Sequence, residues 1–198
     1  CETEFPYFPS MSARATAEPS MSEVARLAEL LNRSRKVVFL CGRGCEGAHD
    51  ILTELAQRLC APIAYTLRGK DIMEKDNPCA VGMIGLLGWG DAPAAVQIAD
   101  LLVLWGTDFP HSCFLPQHGQ VVQIDTSAAA LGRRVPLCHA VIRAGTGSLS
   151  RCLRRCRPHG STSAAAGTPG WWRGVPAALP HAPRQSRSRY GKYTSHSR

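Results

Sequence analysis

Apolar positions along the chain change period several times, and each change marks an element. Ser20 and Glu23 stand at capping-box spacing ahead of an apolar stripe of Val24, Leu27, Ala28, Leu30 and Leu31, which predicts a helix ending near Asn32. Val37-Val38-Phe39-Leu40-Cys41 is a short continuous apolar run, the pattern of a parallel strand buried on both faces. From Ala48 to Leu59, residues Ile51, Leu52, Leu55, Ala56 and Leu59 share one side of a second helix. Pro62 to Thr66, Leu101 to Trp105 and Val121 to Asp125 read as further strands, and Ala92 to Ala99 as a helix.

Strands alternating with helices predict an α/β chain with a Rossmann-like, doubly wound parallel sheet over residues 20–142. Residues 1–19, rich in Pro, Ser and Ala without a steady period, read as a linker. After Ile142 the pattern stops. Leu149, Leu153, Val175 and Leu179 are the only Leu, Ile, Val or Phe in residues 143–198, which predicts a disordered tail there.

Charge follows the same division. Residues 1–142 hold 12 Lys and Arg against 15 Asp and Glu, net −3, while residues 143–198 hold 11 Lys and Arg and no acid, net +11, summing to the +8 of the whole chain. The basic character therefore belongs to the tail. Its arginines lack interleaved aromatics apart from Trp171, Trp172, Tyr190 and Tyr193, so nucleic acid is not an expected partner. No apolar run reaches the length of a transmembrane helix. The start at Cys1 has neither a basic segment nor an apolar one, so it is not read as a signal peptide but as the interior of a longer sequence. Nine cysteines, odd in number and without paired spacing, point to reduced thiols and a cytoplasmic location.

In a doubly wound sheet, ligands bind at the carboxyl ends of the strands. The first strand runs into Gly42-Arg43-Gly44-Cys45-Glu46-Gly47, a G-x-G-x-x-G that opens a helix. Two readings stand for it: a cradle whose backbone N–H groups meet a nucleotide phosphate, or a purely structural tight turn. The second strand ends in Thr66-Leu67-Arg68-Gly69-Lys70, where an ordinary NAD site would carry an acid; a cationic loop suits a phosphate better. Met83-Ile84-Gly85-Leu86 lies in a second glycine-rich loop, Gly106-Thr107-Asp108-Phe109-Pro110 follows the next strand, and Asp125 ends the last, placed to hold a hydroxyl or to cap a loop. The seven histidines are scattered, and no metal set or catalytic constellation is visible.

Taken in order, Leu40 to His49, Ala61-Pro62-Ile63 with Thr66 to Lys70, Asp76-Asn77-Pro78, and Val81 to Gly85 resemble the central domain of thiamine-diphosphate-dependent enzymes. Gly106 to Pro110, Gln123-Ile124-Asp125 and Gly132-Arg133-Arg134 continue the resemblance, which is strongest to pyruvate oxidase, the quinone-linked pyruvate dehydrogenase. That resemblance implies an FAD-binding domain set between pyrimidine-binding and diphosphate-binding domains, in a homo-oligomeric parent that uses thiamine diphosphate and Mg2+. FAD contacts would then fall on Met83, Ile84, Gly85, Leu86, Gly106, Thr107, Asp108, Phe109, Pro110 and Asp125, with Gly42, Arg43, Gly44, Thr66, Leu67 and Arg68 lining the same groove.

The chain departs from the family pattern in two places. Arg143-Ala144 replaces a Gly-Asp pair and a further helix, so a shifted reading frame near residue 143 is expected. The activating glutamate and the Gly-Asp-Gly…Asn stretch that binds magnesium and diphosphate in the family are missing from these residues, so no decarboxylase activity is expected of them alone. Two alternatives stand beside the flavin domain. One is a free-standing NAD(P)-binding domain with Arg68 on a 2′-phosphate. The other is a remnant without a ligand, left unable to fold by the loss of its last helix.

Overall fold

The computed structural model describes residues 18–109, 111–142 and 147–158. Helix α1 (Met21–Arg33) starts at the expected capping box: Ser20 Oγ accepts the Glu23 N–H at 3.2 Å, and Glu23 Oε2 accepts the Ser20 N–H at 2.7 Å. Strand β1 (Val37–Cys41) follows, then α2 (His49–Leu59), which ends with Cys60 in the left-handed conformation, and β2 (Ile63–Tyr65). A short α3 (Lys70–Met73) leads to β3 (Ala80–Met83), β4 (Trp89–Gly90) and α4 (Ala92–Gln97). Strands β5 (Leu101–Trp105), β6 (Gln120–Asp125) and β7 (His139–Ile142) and helix α5 (Gly147–Arg155) complete the described chain.

The strands form one sheet in the order β4-β3-β2-β1-β5-β6-β7. All neighbours pair parallel except β3 with β4, an antiparallel pair at the edge. Setting β4 aside, the parallel strands run 3-2-1-4-5-6, the order of dinucleotide-binding folds. The centre is β1 against β5, in unbroken register from Val37 opposite Leu101 to Cys41 opposite Trp105.

Alternation along the strands sorts the core into two layers. Val37, Phe39, Cys41, Leu101, Val103 and Trp105 face α1, α2 and α5; Val38, Leu40, Leu102 and Leu104 face α4. Because both faces are covered, β1 and β5 are apolar throughout.

The expected strands and the expected helices before residue 100 are present. Strands β3, β4 and β7 extend the sheet beyond them. Their residues, such as Ala80-Val81-Gly82-Met83, are too short and too mildly apolar to stand out by pattern.

The expectation of a disordered tail from residue 143 fails for residues 147–158. Leu149, Cys152, Leu153 and Cys156 stand at helical spacing and are buried in the layer that covers α1 and α2. Two side chains take the polar groups at the end of α5. Arg58 Nη1 donates to the Leu153 carbonyl at 3.0 Å, and Asn32 Nδ2 donates to the Arg155 carbonyl at 3.1 Å while its Oδ1 accepts the Arg157 N–H at 2.8 Å. Arg151 reaches Glu18 at 2.5 Å. The sheet face is therefore covered, which removes the reason for expecting a failure to fold. Residues 143–146, where a change of frame is expected, and residues 159–198 lie outside the described residues, as do all but the last two of the expected linker residues 1–19.

Leu149→Ala is expected to lower the unfolding free energy by about 2–4 kcal/mol; an unchanged urea midpoint would show that α5 does not stabilise the domain. Ser20→Ala is expected to cost about 1 kcal/mol. The Ser20 hydrogen bonds, more than the nearby His139, hold the Glu23 carboxyl below its ordinary value. A depressed carboxylate stabilises the fold above its unfolded pKa, and that contribution disappears as pH falls through the folded value. Thermal melts across the acidic range should thus fall more steeply for the natural chain than for Ser20→Ala.

Candidate functional site

Between β1 and β5 the chain direction of the crossovers reverses, the place where such sheets bind ligands. Here the two loops meet backbone to backbone. Gly42 N–H donates to the Trp105 carbonyl and Gly44 N–H to the Gly106 carbonyl, both at 2.9 Å. A Cβ on Gly44 would stand 2.6 Å from Gly106 Cα, and Gly106 itself has a positive φ of 55°, so the contact requires glycine on both sides.

The remaining donors of the G-x-G-x-x-G loop are largely used internally. Cys45, Glu46 and Ala48 N–H groups donate to the carbonyls of Gly42, Arg43 and Cys45 at 2.8–3.1 Å. This is the bonding of a tight turn, and what the loop presents outward is the exposed Arg43 side chain.

The loop after β2 is seated on the end of β1, where the Thr66 N–H donates to the Cys41 carbonyl at 3.0 Å. Under it, buried Tyr65 donates to Glu74 at 2.8 Å, and Lys70 reaches the same carboxylate at 2.6 Å. Desolvation and the Glu74 carboxylate push the Tyr65 phenol well above its ordinary pKa, so it stays protonated as a donor. Arg68 is exposed on the short turn 67–69, which packs against the turn 43–45 carrying Arg43. Neither arginine has an ion-pair partner among the described residues.

After β3, Met83 and Ile84 are buried, and the Ile84 N–H donates to the Tyr65 carbonyl at 3.0 Å. Gly85 lies against the ring of Phe109, which joins the loop after β3 to the loop after β5. Leu86 then turns outward, 80% exposed, with Leu87, Leu67 and Trp89 also presented to solvent.

Thr107 is buried, whereas Asp108 is engaged: Arg134 meets its Oδ1 at 3.2 Å and Arg133 its Oδ2. Pro110 lies outside the described residues. The Gly106 N–H donates to the Ile124 carbonyl at 2.8 Å, which sets Asp125 beside the same loop. Asp125, half-buried, accepts the Ser127 N–H on Oδ1 at 2.9 Å, a loop cap.

One residue carries more than its sequence position indicates. Buried Gln123 donates from Nε2 to the carbonyls of Thr107 and Ala130 at 3.2 and 3.1 Å, and its Oε1 accepts the Gly132 N–H at 3.0 Å. It brackets the loop after β5 to the loop after β6 and so places Arg133 and Arg134 over Asp108. A lone polar residue in the apolar run 121–124 was the available signal. Among the described residues no group of His, Cys, Asp and Glu could hold a metal ion.

Residues 24–149 match the family of the thiamine pyrophosphate enzyme central domain. The chain belongs to this family. As a thiamine pyrophosphate enzyme central domain it is 46% identical over 129 residues to an uncharacterized 42.6 kDa protein of Pseudomonas amyloderamosa, covering 65% of this chain and 33% of the relative. It is 27% identical over 165 residues to the mitochondrial acetolactate synthase catalytic subunit of Saccharomyces cerevisiae, covering 75% of this chain and 24% of that one. The crystal structure of benzoylformate decarboxylase from Polynucleobacter necessarius shares the fold, with a TM-score of 0.61 at 18% identity over 81% of this chain and 32% of that chain. The central domain thus spans a third or less of the relatives it matches. The family match runs past residue 142 into α5, as the packing does.

Gln123→Leu should keep the side-chain volume and strand every group that Gln123 now bonds. A loss of about 1–3 kcal/mol is expected, with faster proteolysis near residues 128–134. Unaltered cleavage and melting would show that the loop is held by other contacts.

Proposed function

We propose that this central domain binds FAD, in a parent enzyme that oxidatively decarboxylates pyruvate to acetate. The observation that carries the reading is the pair of exposed cations Arg43 and Arg68 on adjoining turns at the carboxyl end of the sheet, neither with an ion-pair partner among the described residues, together with the exposed apolar side chains of Leu67, Leu86 and Trp89 on the loops after β2 and β3. Two guanidinium groups suit a diphosphate, and exposed apolar surface suits a flat ring. Asp125 retains one carboxylate oxygen for a ribose hydroxyl. The donor set fits FAD, and the fit rests on side chains, because the glycine-rich turn has bonded most of its backbone donors internally.

On this reading Arg43 and Arg68 hold the diphosphate, Met83 to Leu86 and Gly106 to Phe109 line the groove, and Asp108 works through Arg133 and Arg134 to stiffen its wall. FAD, when bound, supplies an acceptor for the electrons released on decarboxylation. Thiamine diphosphate and Mg2+ belong to the pyrimidine- and diphosphate-binding domains of the parent, which is a homo-oligomer. The free state of all eight described cysteines supports a cytoplasmic location, and no helix among the described residues is long and apolar enough to cross a membrane.

A second reading, acetolactate synthase, is favoured by the match to the yeast catalytic subunit. The two differ in what the parent makes from pyruvate, acetate or acetolactate, and product analysis separates them.

FAD titrated into the purified chain should quench saturably, without displacement by NADP. Arg43→Ala with Arg68→Ala should weaken it tenfold or more, a loss of about 1.4 kcal/mol or greater. Displacement by NADP would point instead to an NAD(P) domain with Arg68 on the 2′-phosphate. No binding by a chain with a folded circular dichroism spectrum would remove the flavin assignment.

A further inference from the structure

Helix α5 carries a feature that the carboxyl-end groove does not use. Cys152 and Cys156 stand four residues apart with their sulfurs 3.8 Å from each other, buried between α5 and its neighbours α1 and α2. Helical i, i+4 spacing sets the Cα atoms about 6 Å apart, inside the range of about 4.4–6.8 Å that a disulfide spans. It sets the Cβ atoms about 5–6 Å apart, beyond the about 3.5–4.5 Å of a disulfide, so the last turn must shift for the bond to form. The sulfurs need to close by less than 2 Å to reach a bond of about 2.05 Å.

The position in the helix makes that closure feasible. Cys156 lies one residue past Arg155, the last helical residue, with its own N–H on the Cys152 carbonyl at 3.0 Å and its neighbours Arg155 and Arg157 held by the single side chain of Asn32. A shift confined to this last turn would strain its contacts with Asn32 and leave the buried Leu149 turn in place. Cys156 keeps 4% of its surface open and Cys152 none, so a small oxidant meets Cys156 first.

Its surroundings favour the reactive form. Hydrogen bonding from Cys152 lowers the Cys156 pKa, and the Arg58 charge adds to this against the effect of burial. Elsewhere, Cys41 and Cys45 also hydrogen-bond to each other, but Cys41 is fully buried and fixed within the β1–β5 register and the Cys45 thiol donates to the Trp105 carbonyl at 3.2 Å. Cys113 and Cys138 are exposed single thiols.

We propose that Cys152 and Cys156 are a peroxide-oxidised dithiol that closes to a reversible disulfide at the end of α5. The Cys156 thiolate attacks a hydroperoxide oxygen, breaking the O–O bond to give a sulfenic acid, and the leaving oxygen departs as water or alcohol after taking up a proton. Cys152 then attacks the Cys156 sulfur, forming the S–S bond and breaking the S–O bond, and the hydroxyl leaves as water with the Cys152 thiol proton. Two thiols are oxidised, one hydroperoxide is reduced, and a dithiol reductant reverses the change. The bond joins the α5 turn that Arg58 and Asn32 hold, so oxidation acts where α5 is fastened to α1 and α2.

The test uses the full chain, reduced and then treated with hydrogen peroxide near stoichiometry. Thiol counting in denaturant should fall from the nine of the sequence by two. Trypsin cuts after Arg151, Arg154 and Arg155, so the disulfide should join the Cys152 peptide to the Cys156 peptide, with the linkage lost on reduction. In Cys152→Ser, Cys156 should be captured by a sulfenic-acid reagent. A count that stays at nine, or a linkage that maps to Cys113, Cys138 or another pair, would overturn the proposal. The mapping on the natural chain decides even if Cys152→Ser does not fold.

Discussion

The turn after β1 and the turn after β5 touch through their backbones, with Gly44 against Gly106 and Gly42 against Thr107. Everything at the carboxyl end of the sheet is arranged around that contact. It joins the two central strands at the point where the crossovers change direction, and it fills the crevice that the topology would otherwise leave open. A ligand at this end must therefore lie over the joined turns and take its contacts from side chains that leave them. Glycine is costly in the unfolded chain, but here any Cβ would force the two backbones apart. A second close approach, of Gly69 to Cys41 and Gly42, seats the turn carrying Arg68 beside the turn carrying Arg43, so steric requirements at glycine shape both packing and charge.

The two faces of the sheet are closed in different ways. On one side, the small residues Ala92 and Ala95 with Val96 let the short α4 lie close to the strands. On the other, α5 closes a layer already formed by α1 and α2, and it does so with an acid-free sequence. Like charges on its outer surface are tolerated because Glu18 pairs with Arg151, while the carbonyls at its end are taken by Asn32 and Arg58. These neutral and charged donors also suit the negative end of a helix dipole. The helix is thus held as much at its terminus as along its apolar stripe.

What was legible in the sequence follows from how local each signal is. The capping box of Ser20 and Glu23 and the continuous runs of β1 and β5 depend on residues within a few positions of each other, and the structure reproduces them. Strands β3 and β7 are set by pairing with β2 and β6, which no short window shows. Helix α5 was hidden by averaging. Its four buried residues were diluted in the 56 residues of the acid-free segment, and two of them are cysteines that a count of Leu, Ile, Val and Phe passes over. Read over 149–156 alone, the spacing of Leu149, Cys152, Leu153 and Cys156 is helical. At the site, the loops were legible because topology puts strand ends together. The use of each residue was not: the pairing of Asp108 with Arg133 and Arg134, and the bracket made by Gln123, depend on contacts across loops.

That difference bears on how a function can be argued for this domain. The strand order is shared by many dinucleotide folds and selects no ligand. The chemistry left open after the internal bonds are counted is narrower. The glycine-rich turn has used most of its donors on itself, Asp108 is neutralised, and Asp125 is half committed to Ser127. Two guanidinium groups and an apolar rim remain. An uncharged ligand would gain nothing from those cations, and a bare phosphate would leave the apolar surface uncovered. A ligand that is anionic in one part and flat and apolar in another would meet both, so the proposed flavin dinucleotide rests on these side chains and not on the G-x-G-x-x-G pattern.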